Sequence, residues 1–240
     1  YDNRAAIAVA GSHAHIADVP PIGQAVTSIV HCTIDATGSL SGCAETGPEN
    51  LAGPYGLTIH GSTLYISNFG APPVVKCGIN PDGSLQACMD AGFPNSALPA
   101  EDFRIVGTTT YVLHFEQGKL SKCNVLPDGT LSGCADAPVA GLSEPEGMAI
   151  NGNHLYVANS GGNNITRCII SADGSLSDWA DAGAPGLSEP SQIVIRGSTV
   201  YISNMDADVG LTRCTAGSDG LLTGCTSTIG RDLNSIAIRG

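Results

Sequence analysis

Charge is scarce in this chain. Only 13% of its 240 residues are Asp, Glu, Lys or Arg, and ten cations stand against 22 carboxylates, for a net charge of −12. So few cations leave no concentrated basic patch. This excludes nucleic acid and anionic membrane surfaces as partners, because both are bound by clustered Lys and Arg. No apolar run reaches the length of a membrane-spanning helix, so no membrane insertion is expected. Apolar residues nowhere recur at helical spacing over ten or more positions, which removes helix as a competitor for the chain's structure. Aromatics are only 5% of the residues, with a single tryptophan, Trp179, so there is little to build stacking platforms for sugars. The usual signatures of catalysis and metal binding are missing too: no Gly-x-Ser-x-Gly elbow, no phosphate-binding glycine loop ahead of a helix, no Cys-x-x-Cys and no His-x-x-x-His. The acidity that remains reads as a solubilising surface.

What the chain has instead is a repeat. The stretch Leu155–Leu176, LYVANSGGNNITRCIISADGSL, holds two alternating apolar runs separated by Ser160-Gly161-Gly162-Asn163 and closed by Asp173-Gly174. The same pattern returns at Leu64, Thr110 and Val200, and more weakly at Ala14. The first cysteines of the copies, Cys32, Cys77, Cys123, Cys168 and Cys214, are spaced 45, 46, 45 and 46 residues apart. A fixed period of that length carrying only strand-like segments predicts propeller blades, since a lone four-stranded sheet cannot cover both of its faces. The expected fold is all-β: a five-bladed β-propeller in one domain spanning 1–240. Its repeats run near 5–54, 55–100, 101–145, 146–190 and 191–234, with a surplus strand at 235–240. Innermost strands are read at Leu57–Gly61, Arg104–Gly107, Ala149–Gly152 and Val194–Gly197. Both Ile7–Gly11 and Ile236–Gly240 match that strand, so one terminal segment closes the propeller and the other is free to pair elsewhere, within the chain or with another copy.

Eight of the nine cysteines pair at eleven-residue separation: Cys32 with Cys43, Cys77 with Cys88, Cys123 with Cys134, and Cys214 with Cys225. Across a hairpin such positions lie opposite or nearly opposite, which suits disulfides, whereas zinc sites favour closer ligand pairs. Four hairpin disulfides imply an oxidising compartment and a secreted or cell-surface protein. In the fourth copy Cys168 faces Trp179, leaving it either buried beneath the indole or half of an intermolecular bond. Asn164-Ile165-Thr166 is an N-glycosylation sequon.

The segments LYVANSGGNNIT and SADGSL, with their counterparts at Leu64–Asn68 and Val200–Asn204, resemble the YVTN, or lactonase-like, β-propeller repeat over nearly the whole chain. That resemblance implies the fold. It leaves function open, because the repeat occurs in sugar-lactone hydrolases, in surface-layer proteins and in other secreted proteins, and no catalytic assignment is carried over from the family to this chain.

Two sets of polar residues are candidates for a site. Asp18, Asn68, His114, Asn159 and Asn204 end the second strand of each copy, either as a ring of ligands or as partners of the turn that follows. Glu101, Asp102 and Glu146 precede innermost strands and would rim the mouth, offering oxygen ligands to Ca²⁺, the one cation they would suit; no other cofactor is expected. With no catalytic constellation in view, the expected role is a non-enzymatic secreted module for structure, assembly or binding, self-associating through the terminal strand or Cys168. The alternatives are a carbohydrate-binding propeller with a glycan site on each blade, and a metal-dependent lactone or ester hydrolase.

Overall fold

The computed structural model describes residues 6–17, 28–48, 51, 53–68, 70–94, 99–206 and 208–228. Within them the chain is entirely strands and turns. The first blade comprises β1 (Ala6–Ala10), β2 (His13–Ala17), β3 (Ile29–Ile34) and β4 (Leu40–Thr46); the second β5 (Pro54–His60), β6 (Thr63–Asn68), β7 (Val74–Ile79) and β8 (Leu85–Asp90). The third comprises β9 (Asp102–Val106), β10 (Thr109–His114), β11 (Lys119–Val125) and β12 (Leu131–Asp136). The fourth comprises β13 (Pro145–Asn151), β14 (His154–Asn159), β15 (Asn164–Ile170) and β16 (Leu176–Asp181), and the fifth β17 (Pro190–Arg196), β18 (Thr199–Asn204), β19 (Leu211–Ala216) and β20 (Leu222–Thr228). Each set pairs in sequence order as one four-stranded antiparallel sheet, giving the five expected propeller blades.

Contacts divide the chain into two compact units, residues 1–112 with 123–134, and residues 113–122 with 135–240. In the first unit, Ala6, Ala8, Ile29, Leu57, Leu64, Ile66 and Cys77 form the core between blades one and two. A second cluster, with Tyr65, Val74, Phe103, Val112, Cys123 and Leu131, fills the space between blades two and three, where Tyr65 stacks on Phe103 at 5.2 Å. In the second unit Tyr156, Ile165, Ile193, Val200, Ile202 and Leu222 do the same between blades four and five. The alternating strands therefore bury one face against each neighbour. The first strands lie innermost, β5 beside β1 and β9, and β17 beside β13.

Three details differ from the sequence reading. The first strands begin several residues earlier than their apolar runs, at Pro54, Pro145 and Pro190, each followed by a bulge. Proline costs no ladder hydrogen bond at the first position of a strand, so it opens these strands instead of preceding them. From the cysteine spacing the third strands are expected to end on the cysteine of each copy; they run two residues past it, because the cysteine occupies a bulge where the register skips, as between His31 and Thr33 or Lys76 and Gly78. Finally, Ile7–Gly11 supplies β1, which pairs with β2 from Ala6↔Ala17 to Ala10↔His13. The segment 235–240 lies outside the described residues.

Candidate functional site

Asn159 and Asn204 end the second strands of their blades, and both are fully buried. The Oδ1 of Asn159 accepts the Ser143 amide at 3.2 Å while its Nδ2 donates to Thr166 Oγ1 at 2.8 Å and Asn164 Oδ1 at 3.1 Å. Asn204 repeats this, accepting the Ser188 amide at 3.1 Å and donating to Gly210 O at 3.0 Å and Thr212 Oγ1 at 3.1 Å. Each amide thus pins the segment leading into its blade to the second and third strands. His114 Nε2 meets Ser121 Oγ, at the place of Thr166 and Thr212, at 2.9 Å. Asn68 Nδ2 donates to Pro72 O at 3.0 Å. These four side chains direct hydrogen bonds into their own blades, the turn-stabilising role; Asp18 lies outside the described residues.

The three candidate carboxylates are buried, Glu101 just ahead of β9 and Asp102 at its first position in the first unit, and Glu146 in the second. Asp102 and Glu146 thus lie within their first strands and not before them, because those strands begin earlier than their apolar runs. Ser160 Oγ donates to Glu146 Oε1 at 3.3 Å and to Glu144 O at 2.9 Å. Among the described residues, no three of His, Cys, Asp and Glu come together as ligands for a cation. Asp102 instead forms an ion pair with Arg104, two residues on along β9, and also accepts the Phe103 amide at 2.7 Å. Arg104 Nη1 further donates to Phe103 O at 2.8 Å and reaches Thr58 Oγ1, on β5, at 3.4 Å. All of these contacts run through Nη1. The Arg104 side chain is 28% exposed, on the first strand of blade three. Sequence reading passed over Arg104, since a lone arginine in a strand carries no motif.

The register of β2 and β3 places His15 opposite His31, and His13 stands on the same face two residues away. Separately, a cavity of about 330 Å³ opens beside the turns of blades two and three, lined by residues such as His60, Ser62, Tyr65, Thr108 and Leu126. None of the residues expected from the sequence lines it.

The four hairpin disulfides, Cys32–Cys43, Cys77–Cys88, Cys123–Cys134 and Cys214–Cys225, are all closed, with Cα separations of 4.0–4.1 Å. Cys168 is unpaired and fully buried, and burial pushes its thiol up to about 12. Trp179, in the place of the missing partner, donates its indole N–H to Pro138 O at 3.0 Å. In the sequon, Asn164 Nδ2, the atom that would carry a glycan, donates to Asp181 Oδ2 at 2.8 Å.

No protein-family model matches the chain, and no curated protein matches it in sequence. Solved structures do. A Bacteroides uniformis protein provisionally assigned as a 6-phosphogluconolactonase superposes with a TM-score of 0.70 at 15% identity, over 99% of this chain and 74% of its own. The periplasmic gluconolactonase of Pseudomonas aeruginosa gives 0.63 at 18%, over 92% and 68%. A chain of the nidogen/laminin complex gives 0.66 at 12%, over 97% and 85%. The lactonase names among these neighbours overturn the expected non-enzymatic structural module and favour the lactone-hydrolase alternative. That expectation leaned on missing motifs and on Cys168 as a link, yet a propeller site is assembled from separate strands and Cys168 is enclosed. At these identities the likeness is one of fold: this chain has the blade architecture of the lactonase-like β-propellers.

Proposed function

We propose that the protein opens the ring ester of a lactone, with Arg104 and Asp102 at the centre of the site. The observation that carries the reading is the fold likeness to proteins named as lactonases. Arg104 is where this chain has matching chemistry. Water adds to the lactone carbonyl carbon, negative charge develops on the carbonyl oxygen, and the ring C–O bond breaks to give a hydroxy acid. In this reading a partly exposed guanidinium held by Asp102, Phe103 O and Thr58 stabilises that charge without reorganising. Asp102 orients it and is assigned, in this reading, to take the proton of the attacking water and return it to the leaving ring oxygen. The same reading places the protein outside the reducing cytosol, secreted or at a cell surface. Four closed disulfides and the periplasmic location of one neighbour support this.

The test is proton release from five- and six-membered sugar lactones, measured against their spontaneous hydrolysis. We expect saturable hydrolysis by the protein and a loss of about 100-fold in kcat/KM for Arg104→Ala, the cost of removing one donor to a developing oxyanion, with unchanged Trp179 emission. No rate above background, or full activity in the variant, removes the reading.

A further inference from the structure

Between blades two and three the seam is clamped by residues of β6 and β7 that grip the next blade's Asp-Gly turn. Tyr65 donates its hydroxyl hydrogen to Gly129 O at 2.9 Å, and Lys76 Nζ donates to Asp128 O at 2.9 Å and Thr130 Oγ1 at 2.7 Å. In the second unit Lys122 Nζ grips Asp173 O at 2.7 Å in the same way. Burial raises the pKa of the Tyr65 hydroxyl above its ordinary value, so it keeps its hydrogen at neutral and acidic pH.

Blade one departs from this. Where blade two has Thr63, Tyr65 and Lys76, it has His13, His15 and His31. His15 Nε2 bonds Gly83 O of the next blade's turn at 2.8 Å, taking the part of the tyrosine. His31 makes no bond to the turn backbone like that of Lys76, and instead pairs with His13, Nε2 to Nδ1 at 2.9 Å. Gly83 packs directly on that pair at φ +83°, so closely that a Cβ there would collide with both rings. Two imidazole nitrogens at this distance share one proton between them. If both rings are cationic, both facing nitrogens carry hydrogen, and the rings must part beneath Gly83. The ionisable groups meeting the pair are His15 from β2 and Asp82 from the turn.

We propose that the seam between blades one and two is a pH-responsive clasp that loosens when the imidazoles of His15 and His31 take up protons, while the seam between blades two and three stays shut. Burial, more than any neighbour, holds His15 below the ordinary histidine range, and the bond to Gly83 O offsets only part of it. Burial and then His13 do the same for His31, against an opposing pull from Asp82. Histidines whose folded pKa is lowered bind fewer protons closed than open. The clasp is therefore at full strength above about pH 6.5 and weakens as pH falls through the lowered values.

The structure supplies its own reporter and control. The Leu85 amide of blade two donates across this seam to Thr46 Oγ1 at 2.9 Å, and the Leu131 amide donates across the next seam to Ala91 O at 2.7 Å. Native hydrogen exchange, corrected for its intrinsic pH dependence, is measured from pH 7 to pH 5. We expect protection at Leu85 to fall as the pH is lowered, and protection at Leu131 to hold. In the variant carrying His13→Thr, His15→Tyr and His31→Lys, the blade-two residues, the fall at Leu85 disappears. Equal behaviour of Leu85 and Leu131 in the unaltered protein overturns the proposal, and this comparison stands whether or not the variant folds. A fall at Leu85 that persists in a folded variant overturns it as well.

Discussion

Ala87 stands in left-handed backbone at φ 48°, just before the second cysteine of its blade. Gly42, Gly133 and Gly224 hold the equivalent place in three other blades, at φ 59°, 58° and 59°. The position needs that conformation because the hairpin bulges there to bring the two cysteines together, and a Cβ in the left-handed region costs about 1 kcal/mol. Ala87→Gly is expected to stabilise the protein by about 1 kcal/mol, read as a shift of the urea midpoint with an unchanged slope. Asp178, at φ 55° in the fourth blade, should yield less on the same change, because Asp tolerates this region better than Ala. The positive φ at Ala87 was not legible in the sequence. Its glycine counterparts were visible in the aligned repeats, but only the bulge shows that they serve geometry and not mere turn propensity.

At the scale of the hairpin, the fourth blade is the informative exception. Its β15–β16 register skips between Arg167 and Ile169 as the other blades skip at their cysteines, although it has no disulfide. The bulge is therefore a property of the strand pair and does not depend on the bond. Trp179→Cys is accordingly expected to close a fifth disulfide with Cys168. The chain-entropy gain is about 3 kcal/mol for a loop of this length, reduced by loss of the indole bond to Pro138 O. Thiol titration in denaturant checks this: the single free thiol of the unaltered protein should vanish, and two titratable thiols would refute it. The pairing of eight cysteines could be read from their even separation, since hairpin partners are local. Whether Cys168 is buried could not, because that depends on the neighbouring sheet.

Over the whole molecule, acid acts in two stages. The exposed turn aspartates Asp82, Asp128 and Asp173 sit below the ordinary carboxylate range because Ser84, Thr130 and Ser175 donate hydrogen bonds to them. Their lowered folded values mean that what they contribute is present above about pH 4 and lost below it. The histidine clasp loosens earlier, below about pH 6.5. Titration from pH 7 to pH 2 should therefore leave the emission of Trp179, in the fourth blade, unchanged while the first seam opens, and alter it only in the carboxylate range. A single coincident transition in Trp179 emission and Leu85 protection would contradict this separation.

The sequence by itself determined the period, the four strands of each blade, the hairpin disulfides and the all-β class. All of these follow from alternation, turn residues and spacing within some 45 residues of chain. Only the tertiary structure decided which polar groups meet. Register set His15 against His31, and the packing of β5 on β9 brought Thr58 to Arg104. The asparagines that looked like a ligand ring turned inward to hold their own loops, because a buried amide must find its partners wherever the fold supplies them. Contacts between strands far apart in sequence, such as Thr58 with Arg104 and His15 with Gly83, leave no periodic mark on the chain.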